Sequence, residues 1–174
     1  MRLGRSKVVY QAPSTFKHRV SVISPVSGSL LPLHNASSPA SALRMFGDGV
    51  NVLLSGSQLY APFDGQLLSL PETCEFMRLR AKNGLIFQFS FHSSVRSLMG
   101  ERFVRGIRQD EPFKQGDLLL TFDLNWLRAR LGEVHLAITL VNSQKVLAID
   151  PLTGGETRTK KLVAQQDTLM NIYI

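Results

Sequence analysis

Cysteine is nearly absent from this sequence, since Cys74 is the only one among 174 residues. A single cysteine excludes an internal disulfide and a zinc site built on cysteine pairs. The sequence also lacks any apolar run of roughly 18 residues, which excludes a transmembrane helix. Residues 1–19 carry charge but no apolar core of the kind that a secretory signal needs. These absences predict a cytoplasmic protein, and the length predicts a single domain.

Acidic residues are missing from the first 47 positions, although the whole chain carries a net charge of +7. The basic residues of that stretch are Arg2, Arg5, Lys7, Lys17, Arg19 and Arg44. We therefore divide the chain into a basic N-terminal arm, residues 1–19, and a β domain, residues 20–174. The arm is either a segment that binds an anionic partner or a solvated, partly mobile terminus. No nucleic-acid motif accompanies the charge, so there is no strong nucleic-acid signal.

Several catalytic and cofactor-binding motifs are missing as well. There is no glycine-rich phosphate loop and no G-x-S-x-G nucleophile turn, so we predict no cofactor. The histidines show neither H-x-H nor H-E-x-x-H spacing, so no metal site is predicted. They are His18, His34, His92 and His135.

Short apolar segments, separated by Gly, Pro, Ser and Asn, make up most of the chain. Their β-branched and aromatic content predicts an all-β fold, a single-domain antiparallel sandwich or barrel-like structure. The predicted strands are 19–24, 28–33, 50–54, 58–61, 65–70, 75–81, 85–91, 103–107, 118–122, 135–141, 146–149 and 169–173. One short helix is predicted at 124–131 with Asp123 as its N-cap, and a helical turn at 40–46.

Period-2 alternation in the segment 85–91 predicts one apolar face and one polar face. The apolar face is the row Leu85, Phe87, Phe89 and Phe91, which we expect in the core. The polar face carries Gln88, Ser90 and, if the strand continues, His92.

The neighbouring strand 75–81 has the same alternation, and Glu75 begins its otherwise apolar row. Glu75 is either a solvated carboxylate at a strand end or the polar rim of a site. Arg78 and Arg80 lie on the opposite parity, so we expect them to point away from a site that contains Glu75.

Several short motifs occur in unbroken order along residues 20–174. They are SPVSG at 24–28, GDGV at 47–50, APFDG at 61–65, the pattern of Phe103, Gly116, Asp117, Leu118, Phe122 and Asp123, and the closing segment LVAQQDTLMNIYI. In this combination the sequence resembles the glucose-type enzyme IIA domain (type 1 EIIA) of the bacterial phosphoenolpyruvate-dependent sugar phosphotransferase system. The resemblance implies the all-β duplicated hybrid motif of that family.

The resemblance also implies a phosphocarrier. In the family, a histidine accepts a phosphoryl group from a small histidine-containing carrier protein and passes it to the cysteine-bearing domain of a sugar permease. Expected partners are therefore proteins of the phosphotransferase system or regulatory proteins, with a membrane involved only through a permease partner.

The motifs align without a gap, and this register places serine and glutamate at the family's two histidine positions. The phosphoryl-accepting histidine falls at Ser90, the supporting histidine at Glu75, and the threonine that steadies the latter at Thr73. Serine cannot form a phosphoramidate. The leading hypothesis is an enzyme IIA-like component of the phosphotransferase system that is degenerate as a phosphocarrier and acts as a regulatory or binding domain.

Two alternatives remain open at this stage. In the first, the chain is an active phosphocarrier in sugar uptake, and His92 replaces Ser90 as acceptor about 7 Å further along the same strand face. In the second, Glu75, Ser90, His92 and Cys74 form a small-ligand, metal or hydrolytic site unrelated to phosphotransfer. On the ungapped register we expect the side chains of Glu75 and Ser90, on adjacent strands, to face one shallow depression, within hydrogen-bonding reach directly or through one water.

Overall fold

The structure is a computed structural model that describes residues 5–174, so Arg2 of the basic arm lies outside the described residues. The described chain forms three sheets around one hydrophobic core. Their strands are β1 (Arg19–Ile23), β2 (Gly28–Pro32), β3 (Asp48–Leu54), β4 (Gln58–Tyr60), β5 (Gly65–Ser69), β6 (Phe76–Ala81), β7 (Ile86–Ser90), β8 (Phe103–Arg105), β9 (Pro112–Phe113), β10 (Leu118–Phe122), β11 (His135–Leu140), β12 (Ala148–Asp150), β13 (Lys160–Leu162) and β14 (Thr168–Tyr173).

Every pair of neighbouring strands is antiparallel. The large sheet has the order β13-β2-β3-β11-β7-β6-β5-β9, and the two three-stranded sheets have the orders β1-β14-β12 and β4-β10-β8. The helices are α1 (Pro39–Ala42) and α2 (Leu124–Leu131), with 3-10 turns at Leu33–Asn35, Ser93–Leu98 and Ser143–Lys145. No helix in the described part of the chain is long and apolar enough to cross a membrane.

The all-β prediction is confirmed, and α2 covers the residues predicted as a helix. The Asp123 carboxylate caps α2 by accepting a hydrogen bond from the Trp126 amide at 2.9 Å. The sequence pattern does not predict β9 or β13, because elements of two or three residues are too short to show a period. Both form by pairing with longer strands, β9 with β5 and β13 with β2.

The predicted aromatic row on β7 lies in the core. Phe87, Phe89 and Phe91 are 1%, 1% and 4% exposed. The side chains on the other side of β7 are polar but also buried, since Gln88 is 3% and Ser90 7% exposed. β7 is therefore covered on both sides, which restricts access to the polar row.

The described part of the basic arm contacts the β domain. Lys7 and Val9 exchange backbone hydrogen bonds of 2.8 Å with Ile149, so the arm runs beside β12. The buried Asp48 carboxylate accepts hydrogen bonds from the Ser6 hydroxyl at 3.1 Å and from the Lys7 amide at 3.0 Å. These contacts cover an edge of the β1-β14-β12 sheet with the arm.

Asp64 of the APFDG motif is expected to stay ionised in strongly acidic solution. The Gln115 amide donates to its carboxylate at 2.9 Å and Lys82 lies 2.9 Å away, which lowers the pKa of Asp64 from 3.8 to about 2. A carboxyl with a depressed folded-state pKa contributes stability above its unfolded pKa, and that contribution is lost as the pH falls from about 4 to about 2. An NMR carboxyl titration checks this, and a midpoint of Asp64 near 4 would contradict it.

Candidate functional site

The residues of the predicted site lie at one end of β7, between β6 and β11. Ser90 ends β7, with Phe76 as its ladder partner on one side and Ala137 on the other. Two residues earlier, Gln88 pairs with Arg78. Ladder partners project to the same side of an antiparallel sheet. Arg78, Gln88 and Ser90 therefore share one face.

A hydrogen-bonded chain joins these three side chains. The Gln88 amide donates to the Ser90 hydroxyl oxygen at 3.0 Å, and Arg78 Nε donates to Gln88 Oε1 at 3.2 Å. The expectation that Arg78 points away from the site is therefore wrong for the part of the site that contains Ser90. Arg78 does have the opposite parity from Glu75 along the strand. However, Ser90 pairs with Phe76, one residue after Glu75, so Ser90 lies on the side of Arg78.

Glu75 lies immediately before β6 and contacts different groups. The Phe91 amide donates to the Glu75 carbonyl at 2.9 Å, so the backbone neighbour of Glu75 is Phe91. The Thr73 hydroxyl donates to the Glu75 carboxylate. Among the described residues no hydrogen bond joins Glu75 to Ser90. The structure thus brings Thr73 together with Glu75, and Gln88 together with Ser90, and, contrary to what we expected, the ladder does not place Glu75 on the face of Ser90.

Cys74, the remaining candidate of the unrelated-site hypothesis, is buried at 2% exposure. Burial raises the pKa of the Cys74 thiol above its usual value. The thiolate, which is the nucleophile and metal ligand, is therefore scarce at neutral pH. Across residues 5–174 no group of three or more His, Cys, Asp and Glu side chains is arranged to hold a metal ion. The burial of Cys74 therefore does not favour thiol chemistry here.

His92 lies two residues beyond the end of β7 and begins the 3-10 turn Ser93–Leu98. Its Nδ1 accepts a hydrogen bond from the Ser94 amide at 3.1 Å, so the imidazole acts as the N-cap of that turn. His92 and His135 line the same cavity of about 320 Å³. The sequence does not predict His135 as a site residue, because no spacing rule relates a residue after β7 to the first residue of β11.

The comparisons with known proteins agree with one another. Residues 20–146 match the family model described as phosphoenolpyruvate-dependent sugar phosphotransferase system, EIIA 1. A "PTS system glucose-specific EIIA component" of Borreliella burgdorferi is 25% identical over 149 residues, which cover 86% of this chain and 79% of that protein. The component of the same name from Bacillus anthracis is 27% identical over 139 residues, covering 80% and 84%.

A longer relative and a solved structure extend these matches. The "PTS system beta-glucoside-specific EIIBCA component" of Dickeya chrysanthemi is 27% identical over 135 residues, which are 78% of this chain but only 21% of that protein. The glucose permease IIA of Mycoplasma capricolum has the same fold, with a TM-score of 0.75 at 20% identity over 89% of this chain and 96% of that one. From the matched motifs, the fold and the family model together, the chain belongs to the EIIA 1 family of the phosphoenolpyruvate-dependent sugar phosphotransferase system.

Proposed function

We propose that this EIIA component binds protein partners of the sugar phosphotransferase system, or regulatory proteins, and does not pass on a phosphoryl group from the position of Ser90. The observation that carries the proposal is the environment of Ser90. Ser90 is 7% exposed, and its hydroxyl accepts a hydrogen bond from Gln88, which in turn accepts one from Arg78. A side chain fixed in this way is a structural group of the sheet rather than a free nucleophile.

The chemistry of the side chain supports the same conclusion. A carrier must release its phosphoryl group to the next protein, so it needs a high-energy bond such as the phosphoramidate of a histidine. A serine phosphate is a stable ester and would retain the group. Glu75, at the position proposed for the supporting histidine, is acidic and accepts the Thr73 hydroxyl instead of donating to a phosphoryl oxygen.

The hydrogen bond of His92 argues against this residue as a replacement acceptor. Because Nδ1 accepts the Ser94 amide proton, a neutral imidazole carries its own proton on Nε2. A protonated Nε2 has no free lone pair with which to attack phosphorus. Attack through Nδ1 would require the cap of the 3-10 turn to break. His92 therefore acts in this proposal as a structural cap and hydrogen-bond donor.

The relatives are named as sugar-specific components. This proposal assigns to the chain a role in the phosphotransferase system but no particular sugar. In this proposal the chain works on the cytoplasmic side and meets a membrane through a permease partner. Arg96, Arg102 and Arg108, all exposed, lie in the segment that follows the site. Such a basic rim favours an acidic partner and opposes a basic one, more strongly at low salt.

Incubation with phosphoenolpyruvate, the first enzyme of the pathway and the histidine carrier tests the proposal. We expect no acid-labile phosphate on this chain. The Bacillus anthracis glucose-specific component, treated in parallel, serves as a positive control. Acid-labile label that is lost in His92→Asn would establish His92 as the acceptor and overturn the proposal. Label lost only in Ser90→Ala and stable to acid would show a serine ester and leave carrier activity excluded.

A further inference from the structure

A cavity of about 320 Å³ lies beside the end of β7, between the turn that follows this strand and the connection from α2 to β11. Its polar lining consists of Ser37, His92, Ser94, Arg130, Glu133 and His135. The buried side chains of Val95 and Val134 add apolar wall. Hydrogen bonds to a ligand are stronger against such a wall than in open water, because the local dielectric constant is lower.

His92 presents a hydrogen-bond donor to this cavity. Its Nδ1 is occupied as an acceptor by the Ser94 amide at 3.1 Å. The proton of the neutral ring therefore lies on Nε2. Because the backbone amide can only donate, this contact determines the tautomer without reference to any other side chain.

The ring of His135 is also positioned by a hydrogen bond at Nδ1, in this case with a buried side chain. Nδ2 of Asn51 lies 2.9 Å from His135 Nδ1, and Asn51 is completely buried at 0% exposure. With Asn51 Nδ2 facing the ring, the amide donates to Nδ1, and the Glu133 carboxylate beside Nε2 favours the ring proton on Nε2. That Nε2 lies 3.6 Å from the carboxylate of Glu133, whose side chain is 75% exposed. An exposed carboxylate thus lies close to this donor.

Arg130 adds a permanent positive charge to the rim. Its guanidinium stacks over the Trp126 ring with 3.8 Å between Cζ and the ring centroid. Arg130 Nη1 also donates to the Trp126 carbonyl at 3.4 Å, so the stacked guanidinium has its remaining N–H groups to offer a ligand. Two imidazoles and one guanidinium therefore line one cavity, and Glu133 is its only carboxylate among the residues that line it.

From this arrangement we infer that the cavity is a binding site for a small phosphate-bearing molecule. Oxyanions accept several hydrogen bonds at once, and bonds from charged donors are the strongest. The volume is at the lower end of the range of about 300–1,000 Å³ for small-molecule pockets. A metal ion would need the lone pairs at the two Nε2 atoms, which both carry protons. The site is independent of phosphotransfer at Ser90.

Titration of the full chain with inorganic phosphate tests the site, at constant ionic strength maintained with chloride. We expect saturable shifts of the ring C–H resonances of His92 and His135, and none for the exposed His18. His92→Asn keeps an N-cap acceptor but removes the Nε2 donor. It should weaken phosphate binding about tenfold. Arg130→Gln should weaken binding by a similar factor.

Glu133→Gln and His18→Gln complete the design. Removal of the Glu133 carboxylate should strengthen phosphate binding severalfold, because a like charge leaves the rim. His18→Gln is the matched control and should leave binding unchanged. Long-range nitrogen–proton spectra should show the proton on Nε2 of both rings.

Three results would overturn the inference: shifts that do not saturate, binding that is unchanged in His92→Asn, or a ring proton on Nδ1 of His92. Binding of an acidic peptide without binding of phosphate would also overturn it and assign the cavity to a protein partner. The measurement contains no other phosphotransferase-system protein, so its outcome is separate from that of the labelling experiment at Ser90.

Discussion

Ser90→His alone is expected to leave the chain almost unlabelled by a phosphohistidine carrier protein, whereas Ser90→His together with Glu75→His should restore acid-labile labelling. The imidazole at position 90 supplies a nucleophile, but Glu75 keeps a negative charge at the end of the neighbouring strand. Glu75 is adjacent in sequence to Phe76, the ladder partner of Ser90, so its charge is diagonal to position 90 rather than directly opposite it. Two unit charges about 7 Å apart at an effective dielectric constant of 20 repel by about 2.4 kcal/mol. That energy corresponds to roughly fiftyfold in rate before screening by salt.

We expect that the positive charge of Arg78 does not cancel this repulsion. Its guanidinium reaches Ser90 only through Gln88, so its charge is further from position 90 than one strand spacing. The same labelling assay measures both variants, with circular dichroism to verify that each is folded. Glu72→His with Ser90→His is the matched control, because Glu72 is exposed and its carboxylate pairs with Arg105 instead.

Equal labelling of the single variant and the double variant would show that the electrostatic argument is wrong. Equal labelling of the Glu72 control and the Glu75 double variant would show that position 75 has no special role. Absence of label from a folded double variant would mean that positions 75 and 90 do not form one site. This last outcome tests the site directly, because the strand pairing places Phe76, and not Glu75, opposite Ser90.

Phe89→Ala is expected to destabilise the domain by about 3–5 kcal/mol. Phe89 is 1% exposed and lies on β7 between Gln88 and Ser90. The substitution removes most of a large apolar side chain and leaves a cavity that the flanking strands cannot close. Because total stabilities of domains are about 5–15 kcal/mol, the loss would be a large share of the free energy of unfolding.

Equilibrium unfolding in urea measures this change. Val104→Ala is the control, since Val104 is 65% exposed on β8 and its truncation should change stability by no more than about 0.5 kcal/mol. A loss below about 1 kcal/mol for Phe89→Ala, similar to that of Val104→Ala, would contradict the assignment of the aromatic row to the core. The labelling behaviour of the chain does not enter this test.

Local patterns in the sequence were sufficient for much of the architecture. Alternation along 85–91 assigned Phe87, Phe89 and Phe91 to the core, because successive side chains of one strand always point to opposite sides. The helix at 124–131 followed from its apolar spacing and from Asp123, since an N-cap acts within four residues of chain. The order of short motifs was sufficient to indicate the family.

The relation between strands was not available from any of these patterns. Parity places Glu75 and Arg78 on opposite sides of one strand, but only the pairing of β6 with β7 shows that Arg78 reaches the network of Ser90. A shift of one residue between two strands changes which side chains face each other and leaves each strand's own alternation intact.

The same reason applies to the two histidines that share a cavity. The sequence places His92 near Ser90, whereas it gives His135 no metal-binding spacing and no link to Ser90. Their common cavity exists because β11 pairs with β7, and that pairing is a set of backbone hydrogen bonds between distant parts of the chain. Local periodicity thus determined which residues each element buries, while long-range strand pairing decided which polar side chains meet. The reason is that every residue offers the same backbone donor and acceptor, so the local sequence does not specify which strand a segment pairs with.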